Sequence, residues 1–193
     1  MLIDDVVWIV LRAIYWVLMP AVLLRLYMQA RRIPMRNAVG RFVFTVTDWI
    51  VVPLRRVLPG LRGFDWASLL AALLIELAQR LLFDLLTGRM AIFKGAMLPW
   101  LMSSGFGFLS AIVVVAMVCV IAYAVISWVR TDSEIGDVLE ALVNPLLRPL
   151  RRRMPMVGGF DLSPLVLIVA LQVLSVILDH SQATVAATLF PRR

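Results

Sequence analysis

The sequence predicts an all-α membrane protein with four transmembrane helices. These form two repeated hairpins, each with an interfacial amphipathic helix in its cytoplasmic loop. Three observations carry this expectation. First, hydrophobic residues make up 62% of 193 residues and charged ones 16%, with a mean hydropathy of +0.94. A water-soluble domain of this size could not hold that balance without exposing apolar surface. Second, long apolar runs recur along the chain. Third, the segment Pro53-Leu54-Arg55-Arg56-Val57-Leu58-Pro59, followed by Gly63-Phe64-Asp65, returns ninety-six residues later as Pro149-Leu150-Arg151-Arg152-Arg153-Met154-Pro155, followed by Gly159-Phe160-Asp161. The same offset pairs Gly40 with Gly136 and Tyr27 with Tyr123. The chain therefore reads as two copies of one unit, residues 1–86 and 106–193, joined by a linker at 87–105.

The first span, about Val6 to Met28, is interrupted by Arg12 and Arg25. A signal peptide is not expected there. Asp4 and Asp5 stand where basic residues belong, the run is too long, and no small-residue cleavage site follows. After it, Arg41, Thr45 and Asp48 recur at helical spacing opposite Phe42, Val43, Val46, Trp49 and Ile50, the pattern of an amphipathic helix lying in the interface. Pro53 is expected to end that helix, and the arginine-rich turn leads into the second span.

The second span, about Trp66 to Leu86, contains Glu76, Arg80 and Asp84 and is accepted by its place in the repeat. Ser103-Ser104-Gly105 reads as a turn before the third span. That span, about Phe106 to Val129, holds no charge and is long enough for a ~30 Å hydrocarbon layer. In the second cytoplasmic loop Asp137, Glu140 and Asn144 oppose Val138, Leu139, Leu142, Val143 and Leu146, and Pro149 closes the helix. The fourth span, about Leu162 to Leu178, starts with Asp161 or Ser163 and Pro164 at its N-terminus.

Net charge is +7, but the basic residues flank apolar segments, so the positive-inside rule explains them without nucleic acid. By that rule both arginine-rich loops are cytoplasmic and both termini lie on the non-cytoplasmic side of the membrane. Cys119 sits in the most apolar run and reads as a buried hydrophobe. No metal spacing, phosphate-binding loop or nucleophile with a base is present, so neither an enzyme nor a cofactor is expected. His180 beside Asp179 reads as the solvated end of the last helix.

Two groups remain as candidate sites. Glu76, Arg80 and Asp84 are spaced four apart on one face, and Arg12 of the antiparallel first span falls at the depth of Arg80. An isolated charge near the bilayer centre costs ~2.5 to 3.5 kcal/mol, so pairing among these residues is expected. The ladder serves as an ion path or as polar glue with Asp84 reaching the outer surface.

The second group is the Arg–Pro turns: Pro53, Arg55, Arg56, Pro59, Gly63 and Asp65, then Arg148, Pro149, Arg151, Arg152, Pro155, Gly159 and Asp161. They anchor the protein on anionic phospholipid headgroups at about 1 kcal/mol per arginine, or dock a membrane or cytoplasmic partner. Asp65 and Asp161 either cap the following helices or pair with the arginines. Small residues such as Ala67, Ala71, Ala116, Ala122 and Ala124 would permit close helix contact and a homo-oligomer.

The string Asn144-Pro145-Leu146-Leu147-Arg148-Pro149-Leu150-Arg151-Arg152, then Pro155, Gly158-Gly159, Asp161-Leu162-Ser163-Pro164 and Gln172, resembles the signature of the YggT family of bacterial membrane proteins. The first copy departs from it: Trp49 stands in place of Pro145, Trp66-Ala67-Ser68 in place of Leu162-Ser163-Pro164, and Glu76 in place of Gln172. The resemblance implies two tandem YggT repeats. It also implies roles near osmotic tolerance, cell or organelle division, nucleoid distribution or, in plastids, cytochrome maturation. The function expected from the residues is a non-enzymatic scaffold or assembly factor acting through the Arg–Pro turns. The alternative is an oligomeric ion or osmotic-stress transport component using the intramembrane charges.

Overall fold

The computed structural model describes residues 2–58, 60, 64–88, 96–129, 133–153 and 161–189, with side chains placed within 5–187. Among these residues the chain forms six α-helices and no strand. They are α1 (Leu2–Ala30), α2 (Ala38–Val57), α3 (Trp66–Leu86), α4 (Met97–Val129), α5 (Glu134–Arg151) and α6 (Ser163–Leu189). Pro59, Gly63, Pro155 and Gly159 lie outside the described residues.

Three stretches are long and apolar enough to cross a membrane: Asp5–Ala30, Met97–Val129 and Ser163–Ala187. The second expected span, α3, keeps its predicted boundaries but is not among them; it carries Glu76, Arg80 and Asp84 within 21 residues.

The repeat is visible in how the helices meet. α1 packs along α3 and α4 along α6, while α2 bridges α1 and α3 as α5 bridges α4 and α6. One apolar cluster joins Met19, Val22, Val51, Ala67, Ala71, Ala72 and Ile75 with Ala111 of the second repeat. The other joins Val120, Val138, Leu142, Val143, Leu147 and Leu167 with Met28 and Ile33 of the first. Each core thus borrows from the other repeat. Tyr27 reinforces the exchange by donating from its hydroxyl to the Leu142 carbonyl at 3.1 Å. Ala67, Ala71 and Ala124 are buried inside the chain, so those small residues serve intrachain contact.

Four boundaries differ from the sequence expectation. Pro53 lies inside α2 and both Pro145 and Pro149 inside α5, and each helix continues to Val57 or Arg151. Proline removes one donor from the helix ladder; Pro53 and Pro149 are exposed and Pro145 is half-buried. Ser103-Ser104-Gly105 is helix and not turn, since α4 starts at Met97. The Ser104 hydroxyl bonds back to the Trp100 carbonyl at 3.0 Å, which hides its polarity within the helix. α6 runs well past Leu178, so Asp179 and exposed His180 sit inside it. Finally, the apolar residues of α2 divide: Val43 and Val51 face inward with Thr47, while Phe42 and Trp49 are exposed.

Candidate functional site

The first site is a cavity of about 610 Å³ within the bundle, lined by residues of α1, α3, α4 and α6. From α1 come Trp8, Arg12 and Tyr15, and from α3 come Glu76, Gln79, Arg80 and Phe83. Gly107 and Ser110 belong to α4, and Ser175, Asp179 and Gln182 to α6. These positions occupy the early turns of α1 and α4 and the later turns of α3 and α6. They therefore gather at the end of the bundle opposite the arginine-rich turns. Toward those turns the cavity gives way to the apolar cluster of Met19, Val22, Ala71, Ala72, Ile75 and Ala111.

Glu76 is buried and accepts a hydrogen bond from the Tyr15 hydroxyl at 2.7 Å. Gly107 makes room for it. A Cβ at that position would run into Glu76 Oε1 and lie 3.4 Å from Gln182 Nε2. Ser110 donates to Asp179 Oδ1 at 3.0 Å, joining α4 to α6. Gln79 Oε1 and Arg80 Nε are buried without a hydrogen-bond partner.

The expected ladder is therefore redistributed. Glu76, Arg80 and Arg12 do line one cavity, but Glu76 bonds to Tyr15, and Arg12 makes no ion pair among the described residues. Asp84 does not reach the outer surface: it is 4% exposed and accepts from the Trp100 indole at 2.7 Å. The extra turns at the start of α4 bring that indole to it. A carboxylate facing a neutral donor from an adjacent helix gains a bond without paying to order a second long charged side chain. Sequence reading missed Asp179 and Gln182 because it ended the last helix at Leu178. The signal was Ser175, Asp179 and Gln182 at steps of four and three, one helical face.

The second site is a clasp that occurs twice. Arg55 Nη2 donates to Asp65 Oδ2 at 2.6 Å, and Arg151 Nε donates to Asp161 Oδ2 at 2.7 Å. Each aspartate also caps the helix that follows it. Asp65 Oδ1 accepts from the Ser68 amide at 3.3 Å, and Asp161 Oδ1 from the Ser163 amide at 2.9 Å. Both roles foreseen for these residues are filled at once. Burial alone would raise the Asp65 pKa, but the bonds from Ser68 and Arg55 hold it below its ordinary value. At Asp161 burial is likewise outweighed by Ser163 and Arg151.

The copies differ in what backs the clasp. In the second, Arg151 Nη2 donates to the Tyr123 hydroxyl at 2.7 Å. In the first, a residue that sequence reading treated only as an interruption stands behind it. Arg25 is 1% exposed, donates to Thr47 Oγ1 at 2.7 Å and to Asp48 Oδ1 at 2.7 Å, and brings Nε within 4.0 Å of Asp65 Oδ2. Its guanidinium also stands 4.8 Å over the Phe44 ring. Pro53, Arg56, Arg148, Pro149 and Arg152 are exposed, and those three arginines make no ion pair among the described residues.

Three apolar helices, an open cavity of mixed polarity between helices and a doubled Arg–Asp clasp at the other end define a helical membrane protein built by duplication. The chain belongs to the CCB3/YggT family, whose model matches twice, over residues 2–86 and 102–182. The uncharacterised protein YggT of Escherichia coli strain K12 is 36% identical over 165 residues, covering 84% of either chain. An uncharacterised Pseudomonas aeruginosa protein is 30% identical over 164 residues, 84% of this chain and 82% of its own. One from Vibrio alginolyticus is 31% identical over 155 residues, 78% and 81%. No solved structure matches the chain.

Proposed function

We propose that this protein is a non-enzymatic, four-span protein of the bacterial inner membrane whose polar cavity admits a small ion or polar solute. One observation carries the reading: polar side chains from four helices converge on one cavity in which Gln79 Oε1 and Arg80 Nε have no hydrogen-bond partner. An unpaired buried polar atom costs ~1–3 kcal/mol, which a bound ion or polar solute would offset. A cavity of this size and mixed polarity suits a small ligand.

α3 supplies the fourth span in this reading. Glu76 and Asp84 are buried, while Leu73, Leu74, Leu82, Leu85 and Leu86 face outward and would meet lipid. Its 21 residues reach ~30 Å. With the arginine-rich ends in the cytoplasm, both termini and the cavity lie toward the other side, and the apolar cluster around Met19 and Ala71 closes the inner end. Passage then requires that cluster to open, or a second copy. Neither osmotic stress nor division enters the reading, because no residue of the site speaks to them.

The test is ion flux in proteoliposomes holding matched amounts of wild type, Glu76→Gln and Arg80→Gln. Potassium, sodium or proton flux above empty vesicles, lost in both variants, supports the cavity. Wild-type vesicles no leakier than empty ones would turn attention to the scaffold reading. That reading is favoured by the exposure of Arg56, Arg148 and Arg152. Its test is crosslinking in native membranes with Arg56→Ala and Arg152→Ala, leaving the clasp arginines intact. A partner set lost in that variant would support it.

A further inference from the structure

A second cleft, about 430 Å³, lies where the two repeats meet. It is lined by Arg31, Arg32 and Pro34 of the α1–α2 turn and by Asn144, Pro145 and Arg148 of α5. Three arginines from opposite repeats line this space, and no carboxylate does. Three arginines elsewhere at this end of the bundle are neutralised: Arg25 and Arg55 pair with Asp48 and Asp65, and Arg151 with Asp161. Three like charges sharing a cleft raise its potential and attract an anion.

The backbone gives an independent sign that Arg32 is placed for its side chain. α1 ends in a Schellman turn: the Ile33 amide donates to the Met28 carbonyl at 2.9 Å, and the Arg32 amide to the Gln29 carbonyl at 3.1 Å. The residue between, Arg32, has φ 55, the left-handed conformation that glycine adopts at this position without steric cost. Among the described residues no other non-glycine has a positive φ. A sequence selected for stability alone would carry glycine there. A left-handed backbone held at a charged position points to a role for its side chain.

We infer that the cleft formed by Arg31, Arg32 and Arg148 binds a phosphate-bearing anion, either the headgroup of an anionic phospholipid or free phosphate. Arginine forks match phosphate oxygens in pairs, and the cleft lies at the end of the bundle with the other basic turns, where a headgroup would sit. A ligand held by both repeats would also tie the first to the second.

The experiment is non-denaturing mass spectrometry of the full-length protein in detergent. Phosphatidylglycerol, phosphatidylcholine and inorganic phosphate are supplied in separate arms. The variants are Arg31→Gln, Arg32→Gly and Arg148→Gln, with Arg56→Gln as the control outside the cleft. Phosphatidylglycerol adducts weakened about five-fold by each cleft substitution and not by the control assign the site to lipid. The same pattern with inorganic phosphate alone assigns it to a soluble anion. Arg32→Gly separates binding from folding, because it relieves the backbone: its thermal midpoint should hold or rise while its adducts fall. Adducts equal in wild type and all three cleft variants, in every arm, overturn the inference.

Discussion

Arg55 and Asp65, ten residues apart in the chain, meet at 2.6 Å across the turn from α2 to α3. The Arg55 side chain remains 42% exposed while that of Asp65 is 2% exposed. The relationship recurs at Arg151 and Asp161, also ten residues apart, where the side chains are 31% and 26% exposed. The repeated basic turn is therefore divided in labour: one arginine locks the fold, and its neighbour is exposed on the surface.

Arg55→Ala should lower stability by about 1–3 kcal/mol, the range for a lost hydrogen bond to a buried charged group. Arg151→Ala should cost less, because Asp161 is better solvated, and Arg56→Ala and Arg152→Ala should stay within ~0.5 kcal/mol. Thermal denaturation of the four variants in detergent ranks them. An Arg56 effect larger than that of Arg55 would contradict the clasp.

Arg25→Met keeps much of the side-chain volume but removes the buried cation that bonds to Thr47 and Asp48 and stands 4.0 Å from Asp65. Losing the hydrogen bonds of a buried charged group costs ~1–3 kcal/mol, so this variant should melt at a lower temperature. Adding Asp48→Asn to it should recover little, since half-exposed Asp48 can be hydrated and Asp65 keeps its bonds to Arg55 and Ser68. Near-wild-type melting of Arg25→Met would refute the network.

Two glycines of α4 provide a matched pair. Gly105→Ala meets nothing within 4 Å and should stabilise the helix by ~0.5–1 kcal/mol. Gly107→Ala would push its methyl into the Glu76 carboxylate and should cost about 1–3 kcal/mol through overpacking. If the proposed function holds, Gly107→Ala also lowers flux. Equal melting temperatures for the two would show that Glu76 does not occupy that space.

Acid should weaken the clasps. The folded-state pKa values of Asp65 and Asp161 lie below the ordinary 3.8. Their stabilisation is therefore present above 3.8 and is lost as pH falls from there through the folded values. Melting temperature measured from pH 6 to pH 2.5 should drop in that window. Asp65→Asn should start lower and show a shallower acid drop, and an unchanged slope would exclude Asp65 as the titrating group.

The chain itself announced its class, its duplication and most of its helices, because apolar runs and a ninety-six-residue repeat are local facts written in order along the sequence. It also marked α3 as anomalous through Glu76, Arg80 and Asp84. What each charge touches was decided only in three dimensions. Tyr15 reaches Glu76 from 61 residues away, Arg25 reaches Asp48 from 23, and Ser110 reaches Asp179 from 69. Periodicity gives the face on which a residue lies, but a hydrogen-bond partner depends on which neighbouring helix covers that face and at what height. Proline shows the same limit. Its missing donor argued for an ending at Pro53 and Pro149, yet the helices continue one turn further in α2 and half a turn in α5. There Arg55 and Arg151 find their aspartates, so tertiary bonding sets the ends of these helices.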